Sequence, residues 1–311
     1  MKIYNSIRSG LKFTVQKKGI LLLIYTSILV LGIAFSLPIF SSVKNTAGNR
    51  LEIQNLLTSF DYTAYQDFMI EFGHIFKPVR SQVKWMVLVF LLLNIFFTGG
   101  ILQLCQSNWP ATSTFGKFMT GGQRHFGKIA LTVFLFFLIQ GIVALIIWVP
   151  AIISLSGGLE SKSSEIPYVN TIIFAAILHI ILFSFVSMIS DYVKVGIVRE
   201  ENSRYFKVFG QQFVAAIKNI GNTYGLFMIH VLLLVILFTF YFILEDLINN
   251  DTAASIFLLF IIQQIVIIKR IGLRIFGLSS AWNMNQQILP VKIDSKRDTT
   301  SIMSASGMIN T

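Results

Sequence analysis

Acidic residues are scarce in this chain. Fourteen Asp and Glu stand against 25 Lys and Arg in 311 residues, and charged residues together make up only 13%. That is about half the charged share of an ordinary soluble domain. Cysteine is nearly missing. The single thiol, Cys105, excludes an intramolecular disulfide and any cysteine-rich metal site. Its place at the end of an apolar run suits a small packing residue. The short signatures of catalysis are missing too: there is no HExxH, no phosphate-cradling GxxxxGK(S/T) loop, no GxSxG elbow and no CxxC. The four histidines fall in separate segments. The expectation is a protein that is not an enzyme and that holds no cofactor and no metal.

What the chain has in abundance is apolar sequence. Hydrophobic residues make up 54%, and the mean hydropathy is +0.72. They fall in runs long enough to cross a hydrocarbon layer ~30 Å thick, which takes about 20 helical residues. The expected fold is an all-α integral membrane protein with six spans, at about 19–40, 85–105, 129–155, 168–190, 224–244 and 253–273. Residues 1–285 then form one transmembrane domain. The basic lead before the first run has the look of a secretory signal, but the run is too long and no clear small-residue cleavage site follows, so it is read as a retained span. Pro78 is expected to break the pattern before the second span, and Pro150 to kink or end the third. Residues 286–311 are polar and expected to be disordered.

The net charge of +11 does not point to nucleic acid, because the basic residues cluster at the ends of the apolar runs. With six spans both termini share one side. Nineteen of the 25 Lys and Arg then fall on the side of the termini, while nine of the 14 acidic residues fall on the other. This bias puts both termini in the cytoplasm.

The stretch from Asp191 to Asn222 organises the rest. Tyr205, Phe209, Phe213, Ala216, Ile217 and Ile220 recur at helical spacing, opposite Arg204, Lys207, Gln211 and Lys218. Asn202 and Ser203 are expected caps and Gly221 an expected stop. Such a basic amphipathic helix either lies in the membrane interface with Arg204, Lys207 and Lys218 on anionic lipid phosphates, or packs on the protein's own cytoplasmic side. Weaker versions precede the first span (Ser6–Lys18) and the third (Thr114–Lys128). The pattern predicts three parallel repeats, each an interfacial helix followed by a transmembrane hairpin.

Several polar residues fall inside apolar runs. Asn94, Gln140, His179, His230, Gln263 and Gln264 either bond between helices or line a polar cavity. Asp191, Lys194 and Arg199 are expected to brace the cytoplasmic mouth. In the outer interval 41–84, Tyr65, Phe68, Met69, Phe72 and Phe76 form a helical stripe. Asp67, Glu71 and His74 share one face there and read as its solvated side rather than a metal site.

Two segments carry a resemblance. Gly99-Gly100-Ile-Leu, followed by Phe115, Phe118, Gly121-Gly122, Arg124 and Phe126, is one; Asp191-Tyr-Val-Lys-Val with Ile-Val-Arg199-Glu200 is the other. Over the central half of the chain they resemble a poorly characterised bacterial six-span membrane family, similar to the membrane domain fused to some glycerophosphodiester phosphodiesterases. The resemblance implies a bacterial inner-membrane protein and carries over no catalytic residue. No interval here is long enough for the soluble phosphodiesterase domain. The functional expectation is a non-enzymatic membrane protein whose basic cytoplasmic and interfacial face acts on anionic lipids or a protein partner. The alternative is a small transporter or channel with Gln140, His179 and Gln263 lining a midplane cavity.

Overall fold

The computed structural model describes residues 2–47, 62–73, 76–106, 113–156, 166–248 and 252–290. The described elements are helices: α1 (Lys2–Gln16), α2 (Lys18–Ala47), α3 (Tyr62–Phe72), α4 (Phe76–Cys105), α5 (Thr114–Ser156), α6 (Ile166–Arg199), α7 (Tyr205–Lys218), α8 (Ile220–Leu247) and α9 (Ala253–Ile288). Six of them, α2, α4, α5, α6, α8 and α9, are long and apolar enough to cross a membrane.

The spans outlast the expected apolar limits because polar ends simply continue the helix. The Thr114–Lys128 segment is not separate; α5 runs through it and on into the third span. Pro150 lies inside α5, which continues to Ser156. Pro78 sits in the first turn of α4, where a missing N–H costs little. The ends of α7 differ from expectation. Arg204, not Asn202 or Ser203, is its N-cap, and it has no side-chain capping bond. Asn219 ends it, and Gly221 already belongs to α8. By contrast, α9 opens with a reciprocal capping box between Thr252 and Ser255.

The packed core gathers at the end of the bundle that carries α1 and α7, here termed the basic end. Leu102, Phe118, Met188, Val193, Val198, Val208, Ile275 and Met284 are buried there. Further along the spans, large apolar side chains such as Phe137, Ile146, Phe174 and Phe257 face outward. These are lipid-facing positions, which need no partner in hydrocarbon.

One packing theme recurs three times. The far end of α4 packs on residues 114–128 of α5, the far end of α6 on α7, and the far end of α9 on α1. Close approach rests on small residues. A Cβ on Gly100 would stand 2.7 Å from the Phe118 carbonyl oxygen, and one on Gly121 would stand 2.2 Å from the Gln103 Cβ. A Cβ on Gly196 would meet the Gln212 side chain at 2.3 Å, and one on Gly10 would meet the Ser280 Oγ at 2.1 Å. Because the last helix closes on the first, the three contacts form a cycle at the basic end.

Candidate functional site

The cycle at the basic end is stitched by buried polar side chains. His125 Nε2 lies 2.7 Å from Gln103 Oε1, so the ring nitrogen is the donor, and Gln103 donates in turn to Gln106 at 3.1 Å. Asn285 donates to Gln212 Oε1 at 2.5 Å. Arg199, at the end of α6, donates to the Asn285 carbonyl at 3.1 Å and its Oδ1 at 2.7 Å, and also to the Leu289 carbonyl. It thereby gives a donor to the Leu289 carbonyl, which lies past the last helical turn, and a second donor to the Asn285 carbonyl, which already accepts from the Leu289 N–H at 2.9 Å. Arg124 pairs with Glu201, and Lys128 donates to the Glu201 carbonyl at 2.7 Å, tying α5 to the α6–α7 turn. The Tyr205 hydroxyl meets Thr132 Oγ1 at 3.1 Å. Burial pushes this phenol above its ordinary pKa, and the Thr132 bond opposes the shift.

Above this layer lies a cleft of about 630 Å³, walled by α2, α4, α6, α8 and α9. Its polar wall carries Asn94, Thr98, Asp191, Lys194, Arg270 and Arg274. Lys194 Nζ donates to Asp191 Oδ1 at 3.0 Å, a local pair one helical turn apart. Arg274 donates to the Asn94 carbonyl at 3.1 Å and to Thr98 Oγ1 at 2.6 Å, which anchors it to α4. Asp191 is the one carboxylate among the lining residues; it pairs with Lys194 and its charge also acts on Arg274, while Arg270 has no ion pair among the described residues. A second cavity of about 910 Å³ lies on the other side of α8 and α9 against α1. It is apolar apart from Lys18, Lys269 and Thr14, as expected of a lipid-facing groove.

The residues singled out in the sequence divide between these places. Asn94 and His230 line the cleft; His230 Nδ1 lies 2.7 Å from the Leu226 carbonyl, and its ring packs on Phe276. Gln140, His179 and Gln263 do not line it. Gln140 donates to the Phe183 carbonyl at 3.1 Å, across the α5–α6 interface. His179 stands between Trp148 and Phe183. Gln263 donates to the Tyr241 hydroxyl at 3.0 Å between α9 and α8, and Gln264 accepts from Tyr25 at 3.0 Å between α9 and α2. Arg204, Lys207 and Lys218 are exposed. Asp67 and Glu71 belong to α3, and His74 lies outside the described residues. Among the described residues no cluster of three or more His, Cys, Asp or Glu is placed to hold a metal ion.

Sequence reasoning did not single out Arg270 or Arg274 as cleft residues, nor the buried Gln103, His125, Gln212 and Asn285. One signal was available for the arginines: they stand four residues apart in the continuation of an apolar run, hence on one helix face. Gln212 has no comparable signal, since its neighbour Gln211 is exposed and the two look alike in sequence.

Fold and cleft together define a multi-pass, all-helical membrane protein with a polar cleft near one end of its spans. No family model, no curated protein and no solved structure matches this chain.

Proposed function

We propose that this chain is a non-enzymatic membrane protein that acts on anionic lipids through its basic end, which faces the cytoplasm. One observation carries the reading: α7 is turned inside out by the standards of a soluble helix. Its packed face is made of Val208, Gln212, Ala215 and Ala216. Its larger apolar residues Phe206, Phe213, Val214 and Ile217 are exposed, beside exposed Arg204, Lys207 and Lys218. Helix α1 repeats the arrangement, docking through Ser6 and Gly10 while Tyr4, Leu11 and Val15 face outward with Arg8 and Lys12. Bare aromatic and aliphatic groups beside cations suit the boundary between headgroups and acyl chains, where both are favourably placed. The two alternatives for α7 therefore coexist, because its packing face and its lipid face are different sides of one helix.

The test places a fluorophore on Phe206→Cys in a Cys105→Ser background, in full-length protein reconstituted in vesicles. Brominated lipids are expected to quench it. In phosphatidylglycerol vesicles, Lys207→Glu with Lys218→Glu should weaken the quenching. Water-like emission without quenching, in the wild-type background, would overturn the reading.

A further inference from the structure

We infer that the cleft between α2, α4, α6, α8 and α9 is a binding site for one anionic lipid, with its phosphate on Arg270 and Arg274 and an acyl chain along the apolar wall. This goes beyond the surface reading and shares only its membrane setting. Four observations support it.

The first is charge. Three cations and one carboxylate face the cleft, and the carboxylate is held by Lys194 at 3.0 Å. Two positive charges are left in excess, and the two arginines stand four residues apart on one face of α9. Guanidinium groups so spaced match the oxygens of a phosphate, and Arg is less strongly hydrated than Lys, so it gives up water more readily.

The second is depth. At 1.5 Å per residue, Arg270 and Arg274 stand about 26 and 32 Å along α9 from Ala253. A hydrocarbon layer ~30 Å thick ends at that level, and lipid phosphates begin.

The third is polarity along the cleft. Thr223 and Leu234 both line it and are 11 residues apart on α8, or about 16 Å along the helix. The end near Thr223 also has Asp191 and Lys194. His230 packs on Phe276 and Tyr241 takes Gln263, so Arg274 stands about level with Val231 and Arg270 with Leu234, where the cleft turns apolar with Ile28, Phe90 and Ile267. A free anion on the arginines has no use for those apolar groups, whereas a lipid held there by its phosphate sets the start of an acyl chain against them.

The fourth is that the arginines differ in role. Arg274 is anchored by Asn94 and Thr98, which fixes one point of the site. Arg270 has no hydrogen bond or ion pair among the described residues and is exposed to the cleft. An arginine at the hydrocarbon boundary without a protein partner calls for an anion from outside.

The test uses full-length protein, delipidated in mild detergent and titrated with dioleoyl phosphatidylglycerol under native mass spectrometry. One lipid should bind saturably. Arg270→Gln should weaken it at least tenfold, and Arg270→Lys by less. Leu234→Trp, which fills the apolar end, should weaken lipid binding too, and provides a separate test should Arg270→Gln fail to fold. The surface pair Lys207→Glu with Lys218→Glu should leave this binding unchanged, so loss of the surface reading and loss of the cleft site are separable. Equal binding by wild type and Arg270→Gln would overturn the proposal. So would inorganic phosphate competing as well as the lipid, which would mean a free-anion site. Phosphatidylcholine binding as tightly would overturn it as well, since the net charge would then go unread.

Discussion

Arg199 does what a lysine in its place cannot do in one geometry. One guanidinium nitrogen serves both oxygens of Asn285, and another serves the Leu289 carbonyl at the end of α9. A planar fork spreads over several acceptors, while an ammonium is a compact point donor. Arg199→Met should therefore cost about 1.5–3 kcal/mol, the scale for charged hydrogen bonds lost from partly buried carbonyls. Arg199→Lys should cost less. Both appear as a lowered thermal midpoint of the purified protein in detergent, and an unchanged midpoint in Arg199→Met would remove the bracing role. The bracing expected of Asp191, Lys194 and Arg199 thus resolves into two devices. Asp191 and Lys194 pair within one helix on the cleft wall, whereas Arg199 reaches across 86 and 90 positions of sequence. The i, i+3 pair can be read from spacing, because one helix fixes it. The Arg199 contacts cannot, because they depend on where α9 ends in space.

At the scale of elements, helix contacts at the basic end depend on residues too small to keep backbones apart. Gly100→Ala would push a methyl against the Phe118 carbonyl, and Gly121→Ala would push one into Gln103. Each should cost about 1–3 kcal/mol as overpacking. Gly127 and Gly210 supply the control, since a Cβ at either meets nothing within 4 Å. Alanine there should be neutral or stabilise by up to about 1 kcal/mol through helix propensity. Thermal unfolding of the four single variants distinguishes the cases; a uniform response would mean that close approach is not what the glycines provide. The six spans were legible because a long apolar run leaves the backbone no choice in hydrocarbon but to bond within itself. Helix ends were less legible. Asn202 and Ser203 have the right chemistry for a cap, but α7 begins at Tyr205, where its packing against α6 begins to pay off as buried contact. The cleft was legible only in part. Asn94 and His230 stood out as polar residues in apolar runs, but the arginines passed for ordinary end-of-span charges.

At the scale of the whole molecule, six spans leave the two ends of this sequence on one side, and from the basic bias we propose that this side is the cytoplasm. Fusions test this directly: a fluorescent protein at either terminus should fluoresce in cells, and alkaline phosphatase at either terminus should stay inactive. Active phosphatase at both ends would invert the topology, and a split result would remove one span. The cyclic closure at the basic end has a further consequence, in time rather than in space. Ser279 donates to the Gly10 carbonyl across 269 positions, and Gln287 donates to Ser6 across 281. At roughly 5–20 residues per second of synthesis, α1 emerges on the order of 15 to 50 s before its docking partner exists. On the surface reading proposed above, its outward Leu11 and Val15, with Arg8 and Lys12, would hold α1 at the bilayer surface during that interval, until α9 arrives to dock on it.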